Sequence, residues 1–129
     1  MAEIPLPPPI GALVQSINAG DTEGFLNLFT EDGVVDDWGK LHIGHRAIRA
    51  WSDRELIGAK GVMTVRSVAT SDTSVTIVGN WKSNYYTGPG KFIFSIEGQK
   101  VAEWRITGEQ VSLMSVLARV RALLTPGER

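Results

Sequence analysis

Two aspartates and two histidines lie within ten positions of one another: Asp36, Asp37, His42 and His45. Carboxylates and imidazoles are the side chains that most often move protons near neutral pH, and both also bind metal ions. The spacing of these residues matches no common metal motif, and a turn separates the aspartates from the histidines. We therefore expect neither a metal nor another cofactor, with Asp36 in solvent and His45 in the first turn of a helix.

Strand alternation decides how the two aspartates are presented. Residues 34–38 (Val-Val-Asp-Asp-Trp) predict a short strand, with Val35 and Asp37 on one face and Asp36 on the other. One aspartate should therefore face the interior, where loss of hydration raises the pKa of a carboxylate and makes it a useful base. His42 is either an acid–base partner at the mouth of a pocket or a histidine of a surface loop.

Helices are predicted on both sides of this strand. Residues 10–17 are apolar at i, i+3, i+4 and i+7, which indicates a helix that ends at Gly20. Asp21 is a good N-cap for a second, short helix. A third helix should run to about Ile57, with Trp51 as a core anchor. Glu55 lies on the same side of that helix as Trp51, so it either approaches the interior or is exposed at the helix end.

After Gly61 the apolar residues alternate, which is typical of strands. The segment 85–90 is predicted as a loop, because Gly-Pro-Gly should not continue a ladder. Tyr86 in this loop either caps a pocket or packs over the sheet edge. The tail 109–125 predicts a helix that packs on the sheet or on a second subunit. The predicted strands cover residues 62–70, 75–84, 92–96 and 100–107.

Composition sets limits on the class of protein. The chain has 129 residues, which fits a single domain over 1–129, with a proline-rich lead-in over 1–9 and a core over 10–108. The absence of cysteine excludes disulfides and thiolate catalysis. The formal net charge of -1, without a basic run, disfavours a nucleic-acid partner. We expect a cytoplasmic protein without a signal peptide, a membrane span or a membrane partner.

Three stretches carry a resemblance to a known family: Asn18 to Asp21, Phe29 to Trp38, and Gly44 to Trp51. They resemble the front half of SnoaL-like and ketosteroid-isomerase-like proteins of the nuclear-transport-factor-2-like superfamily. The resemblance extends over about residues 10–107. It implies an α+β fold in which three N-terminal helices pack on the concave face of a cone-shaped, curved antiparallel sheet, with a C-terminal helix added. It also implies an apolar pocket and, commonly, a homodimer.

The same resemblance suggests roles for individual residues. Asp37 matches the general base of the isomerases, and Trp104 matches a position in the wall of their cavity. The isomerases also use a tyrosine and a protonated acid to stabilise an enolate oxygen, and these two positions hold Leu13 and Phe92 here. Such donors contribute strongly to catalysis, so we do not expect steroid isomerisation by the usual arrangement. Other expected pocket residues are Val35, Trp51 and Tyr86.

Two functions remain open at this stage. The first is a domain that binds a hydrophobic or aromatic small molecule and carries out proton transfer of the isomerase or cyclase type, with Asp37 as base. The second is a ligand-binding or dimerisation module without enzymatic activity. The superfamily contains both kinds of protein, so the resemblance does not decide between an enzyme and a binding module.

Overall fold

A computed structural model describes residues 4–108. The predicted C-terminal helix over 109–125 lies outside the described residues. The described elements, in chain order, are α1 (Ile10–Ala19), α2 (Thr22–Asn27), β1 (Phe29–Asp37), β2 (Lys40–Ile43), α3 (Gly44–Glu55), β3 (Val62–Ser71), β4 (Ser74–Lys82), β5 (Thr87–Glu97) and β6 (Lys100–Thr107).

The six strands form one curved sheet in the order β2-β1-β6-β5-β4-β3. β1 and β6 pair in parallel, and the other described neighbours pair antiparallel. The three described helices pack on one face of this sheet, which confirms the predicted α+β class with N-terminal helices on a curved sheet. The order also places the end of β1, where the aspartates lie, beside the end of β6 in the middle of the sheet.

The helix boundaries follow from the features read in the sequence. The residues of the α1 stripe are all buried: Ile10, Leu13, Val14 and Ile17. Gly20 ends the helix in the left-handed region at φ 74° and supplies the C-cap. The Asp21 carboxylate then accepts a hydrogen bond from the Gly24 backbone N–H at 3.0 Å, so it is the N-cap of α2.

The segment around the aspartates contains more strand than predicted. β1 begins at Phe29, five residues before the predicted strand, and its register with β6 shifts between Phe29 and Val34. β2 was not predicted. It pairs with β1 through a tight turn in which Trp38 and Gly39 have φ values of 56° and 93°. Two successive positive φ values are typical of a type I′ hairpin, and Trp38 is an unusual residue for that position.

The prediction of a loop over 85–90 is wrong for its second half. β5 begins at Thr87, and Pro89 pairs with Asn80 of β4. β6 reaches only as far as the pair Lys91–Thr107, so no strand within residues 4–108 pairs with the second edge of β5 at Pro89. A proline is tolerated there because its missing N–H removes no bond from a neighbouring strand. The sheet consequently extends beyond the end of β6.

The core lies between the helices and the sheet, and Trp104 of β6 is at its centre. Its ring stacks on Phe94 at 5.3 Å and meets Phe25, Trp51 and Phe92 edge-on at 5.7 to 6.2 Å. Aromatic pairs at such distances stabilise beyond the area they bury. None of the described helices is long and apolar enough to cross a membrane.

Candidate functional site

A cavity of about 330 Å³ opens where β1 and β6 end and β5 begins. The last residues of α3 border it from the helix side, and the extended part of β5 borders it from the sheet side. This volume falls at the lower end of the range of small-molecule sites, which are mostly apolar clefts with a few polar groups. The cavity therefore has room for a compact ligand of one or two rings.

Two carboxyl groups lie together in the cavity wall. Asp37 is the last residue of β1, and Glu55 is the last residue of α3. The indole Nε1 of Trp51 donates a hydrogen bond to Asp37 Oδ2 at 3.1 Å, which fixes the orientation of that carboxylate. Burial raises the pKa of Glu55 above 4.5, and the charge of Asp37 and a hydrogen bond to Asp37 raise it further. The two carboxyl groups are thus close enough for Asp37 to favour the protonated form of Glu55.

Seven of the other residues that line the cavity are aromatic. All four tryptophans of the chain border the cavity: Trp38, Trp51, Trp81 and Trp104. Tyr85, Tyr86 and Phe92 complete this lining, and the two tyrosines are exposed at the rim. Trp104 itself is fully buried, and its Nε1 has no hydrogen-bond partner among the residues that the structure describes. A buried indole N–H without a partner is uncommon, and it leaves one donor in the wall uncommitted.

His42 lies neither in a surface loop nor in the cavity lining. It is on β2 opposite Val35, is 8% exposed, and stacks on Trp51 with ring centroids 5.7 Å apart. Burial lowers its pKa below 6.5, while the charge of Asp37 opposes that shift. The expectation of a loop failed because β2 was not recognised. His42 therefore supports the indole that holds Asp37, and it touches the cavity only through Trp51.

The other two members of the initial cluster have structural partners. Asp36 is on the opposite face from Asp37, where Oδ1 accepts a hydrogen bond from the Gly39 N–H at 2.7 Å and Oδ2 lies 3.9 Å from Arg105. His45 Nε2 lies 3.1 Å from the carbonyl oxygens of Phe29 and Thr30. Within residues 4–108, no three His, Asp or Glu side chains are grouped as metal ligands.

The predicted pocket residues separate into two groups. The structure places Asp37, Trp51, Phe92, Trp104 and Tyr86 around the cavity. Leu13 and Val35 differ from the prediction, because both are fully buried in the core and neither borders the cavity. Val35 is two residues before Asp37 on β1 and pairs with Trp104 of β6.

Several wall residues were not predicted from the sequence, among them Trp38, Trp81 and Ile106. Strand alternation alone would put Trp38 on the opposite face from Asp37. Trp38 reaches the cavity because its positive φ turns the chain at the end of β1. Ile106 pairs with both Asp37 and Phe92, so the cross-strand register was the signal that would have located it.

The SnoaL-like domain family matches residues 10–113, and the chain belongs to this family. A proposed polyketide cyclase from Sinorhizobium meliloti is 20% identical, with a TM-score of 0.71 over 79% of this chain and 95% of that one. The Delta 5-3-ketosteroid isomerase from Mycobacterium sp. is 19% identical, with a TM-score of 0.69 over 78% and 90%.

A Mycobacterium tuberculosis protein in complex with estradiol-17beta-hemisuccinate is 18% identical, with a TM-score of 0.67 over 75% of this chain and 88% of that one. No curated protein sequence matches this chain significantly. At these identities the similarities establish the fold shared with cyclase and isomerase-like proteins. The chemistry of the site has to be inferred from its own residues.

Proposed function

We propose that this chain binds a compact apolar or aromatic molecule in the cavity and moves a proton on it, with Asp37 as the general base. The observation that carries the proposal is the position of Asp37, at a strand end, in an aromatic wall, with one oxygen held by Trp51. Similar solved structures include an isomerase and a steroid complex, which supports a ligand-binding role for the cavity.

The proposed chemistry follows from the carboxyl pair. Asp37 accepts a proton from a carbon next to a carbonyl group and returns it to another carbon of the same ligand. Glu55, hydrogen-bonded to Asp37, keeps that carboxylate oriented through both steps. The aromatic wall excludes water from the reacting atoms, which strengthens electrostatic interactions within the cavity.

Hydrogen–deuterium exchange at an activated C–H group tests the base directly. We expect the protein to accelerate exchange at C1 of 2-tetralone in D₂O, followed by NMR, and Asp37→Asn to lower the rate about 100-fold or more. Asp36→Asn is the matched control, because it changes a neighbouring carboxylate on the opposite face and keeps the oxygen that accepts from Gly39. Equal rates in the wild type and Asp37→Asn would exclude Asp37 as the base.

A second candidate function is a non-catalytic binding or dimerisation module. It is favoured by the side chains at the two positions where isomerases carry enolate-stabilising donors. Leu13 is buried in the core, and Phe92 presents an apolar ring to the cavity. Ligand binding without any exchange that depends on Asp37 would support this alternative. We further propose that the protein is a cytoplasmic homodimer, and sedimentation analysis would test the dimer.

A further inference from the structure

Among the described residues, the charged side chains that line the cavity are both acidic. Asp37 and Glu55 are in the wall, and none of the described residues that line it is a lysine, arginine or histidine. Lys40 and Arg54 lie near enough to influence the pKa of Glu55, yet neither borders the cavity. A ligand that enters this space therefore meets two carboxyl groups and several aromatic side chains, and none of the described residues adds a positive group to the wall.

We propose that the cavity selects an organic cation, such as an aromatic or alkyl ammonium, with the Asp37 carboxylate as its counter-ion and the tryptophan rings as its walls. This inference names the ligand class of the proposed function and rests on it. Tryptophan is the aromatic residue that attracts cations most strongly, and all four tryptophans of the chain are in this wall. Quaternary ammonium groups are the ligands that such aromatic cages bind best.

Other ligand charges fit the wall less well. An anion would face the repulsion of Asp37 at short range in a site of low polarity. A metal ion would need a group of three ligands, which is absent from the described residues. A quaternary ammonium holds its water weakly and gains contact with both the carboxylate and the aromatic rings.

A cationic substrate would also compensate for the missing donors at Leu13 and Phe92. Asp37 takes a proton from the carbon between a carbonyl and an ammonium-bearing group. The pair of the broken C–H bond forms a carbon–carbon double bond, and the π pair of the carbonyl moves to its oxygen. The ammonium charge of the same molecule then stabilises the negative oxygen, a function that side-chain donors perform in other sites. The proton returns from Asp37 to carbon, so the step is balanced without a further reactant.

Two probes of the same shape and different charge test the ligand class. These are (4-hydroxyphenyl)trimethylammonium and the neutral 4-tert-butylphenol, each titrated calorimetrically into the full chain. We expect the cation to bind at least ten-fold more tightly to the wild type. Asp37→Asn should remove most of this preference, whereas the control Asp36→Asn should keep it. Raised salt should weaken the binding of the cation more than that of the neutral probe.

The possible outcomes separate the two proposals. If the neutral probe binds as tightly as the cation or more tightly, the cation preference is wrong and the small-molecule site stands. If neither probe binds, both the cation preference and the proposed site are contradicted. If Asp36→Asn loses the preference as fully as Asp37→Asn, the attraction comes from overall surface charge and the specific site is excluded.

A pH series provides an independent measurement on the same proposal. A bound cation favours the ionised form of Glu55, which faces Asp37 on β1, Lys40 on β2 and Arg54 on its own helix. The affinity for the cation should therefore rise as the pH is increased through the pKa of Glu55, and Glu55→Gln should remove that rise. An affinity that falls over this range in the wild type would contradict the proposal.

Discussion

The face of the sheet that the helices cover has a closed end and an open end. Both ends are built from the same strands, and they differ in the side chains that occupy them. At the closed end, Phe25 and Phe29 pack edge-to-face at 5.2 Å, and Val101 completes a fully buried cluster. At the open end, Asp37 and Glu55 border a cavity of about 330 Å³. Trp104 separates them, with Phe25 and Phe94 on one side and Trp51 and Phe92 on the other.

The difference follows from where the elements end. At the open end, α3 ends at Glu55 and β6 at Thr107, whereas residues 87–90 of β5 continue beside β4 alone. These residues of β5 consequently form a wall of the cavity beyond the last residues of α3 and β6. Stability is expected to depend on the closed end and ligand binding on the open end, so that a substitution at either end tests this division.

The largest expected effect comes from the closed end. Phe25→Ala removes a fully buried ring and should lower the free energy of unfolding by about 3–5 kcal/mol, measured by chemical denaturation. Its counterpart is Tyr85→Ala at the open end, where the ring is 65% exposed and the change in stability should stay within about 0.5 kcal/mol. Tyr85→Ala should instead weaken binding of a ligand. Equal losses of stability in the two variants would disprove the division.

A smaller effect on stability is expected at Gly61, whose backbone lies against the ring of Trp81 in the cavity wall. A Cβ added at Gly61 would lie 2.1 Å from the ring of Trp81, so the ring must move. Gly61→Ala should cost about 1–3 kcal/mol and change the tryptophan fluorescence. Trp81→Leu shortens the side chain that clashes, so the two substitutions should be non-additive in a double-mutant cycle. Strict additivity would show that Trp81 does not determine the cost.

Local patterns predicted the closed end well. The α1 stripe, the Gly20 stop, the Asp21 cap and the alternation of the later strands each depend on neighbours in the sequence. The open end depends on cross-strand register and on chain geometry that single residues do not reveal. Pro89 is accepted in β5 only because β6 is shorter, and Trp38 reaches the cavity only through its positive φ.

The candidate site shows the same division. Asp37 was assigned from strand alternation together with the family resemblance. For Glu55 the sequence left open whether the side chain approaches the interior or is exposed at the helix end. Their association requires the ends of β1 and α3 to meet, which is a tertiary contact. Leu13 was expected at the pocket from its alignment alone, and it is fully buried in the core instead. The roles of individual residues were therefore easier to predict than the contacts between them.

The smallest expected effect concerns the carboxyl pair and has a defined sign. Because the pKa of Glu55 is raised above 4.5, the folded state binds its proton more tightly than the unfolded state does. This contribution to stability is complete below about pH 4.5 and is lost as the pH rises through the folded pKa. Glu55→Gln does not titrate, so its stability relative to the wild type should increase over that interval and then level off.

Denaturation curves of the wild type and Glu55→Gln at each pH provide the measurement, and their difference removes the titrations that both proteins share. His42 is one of these, and its effect has the opposite sign, because its lowered pKa costs stability as the pH falls below 6.5. A difference that stays constant with pH would mean that Glu55 is open to solvent. The open end would then lack a shared proton, and Asp37 would have to act without its neighbour.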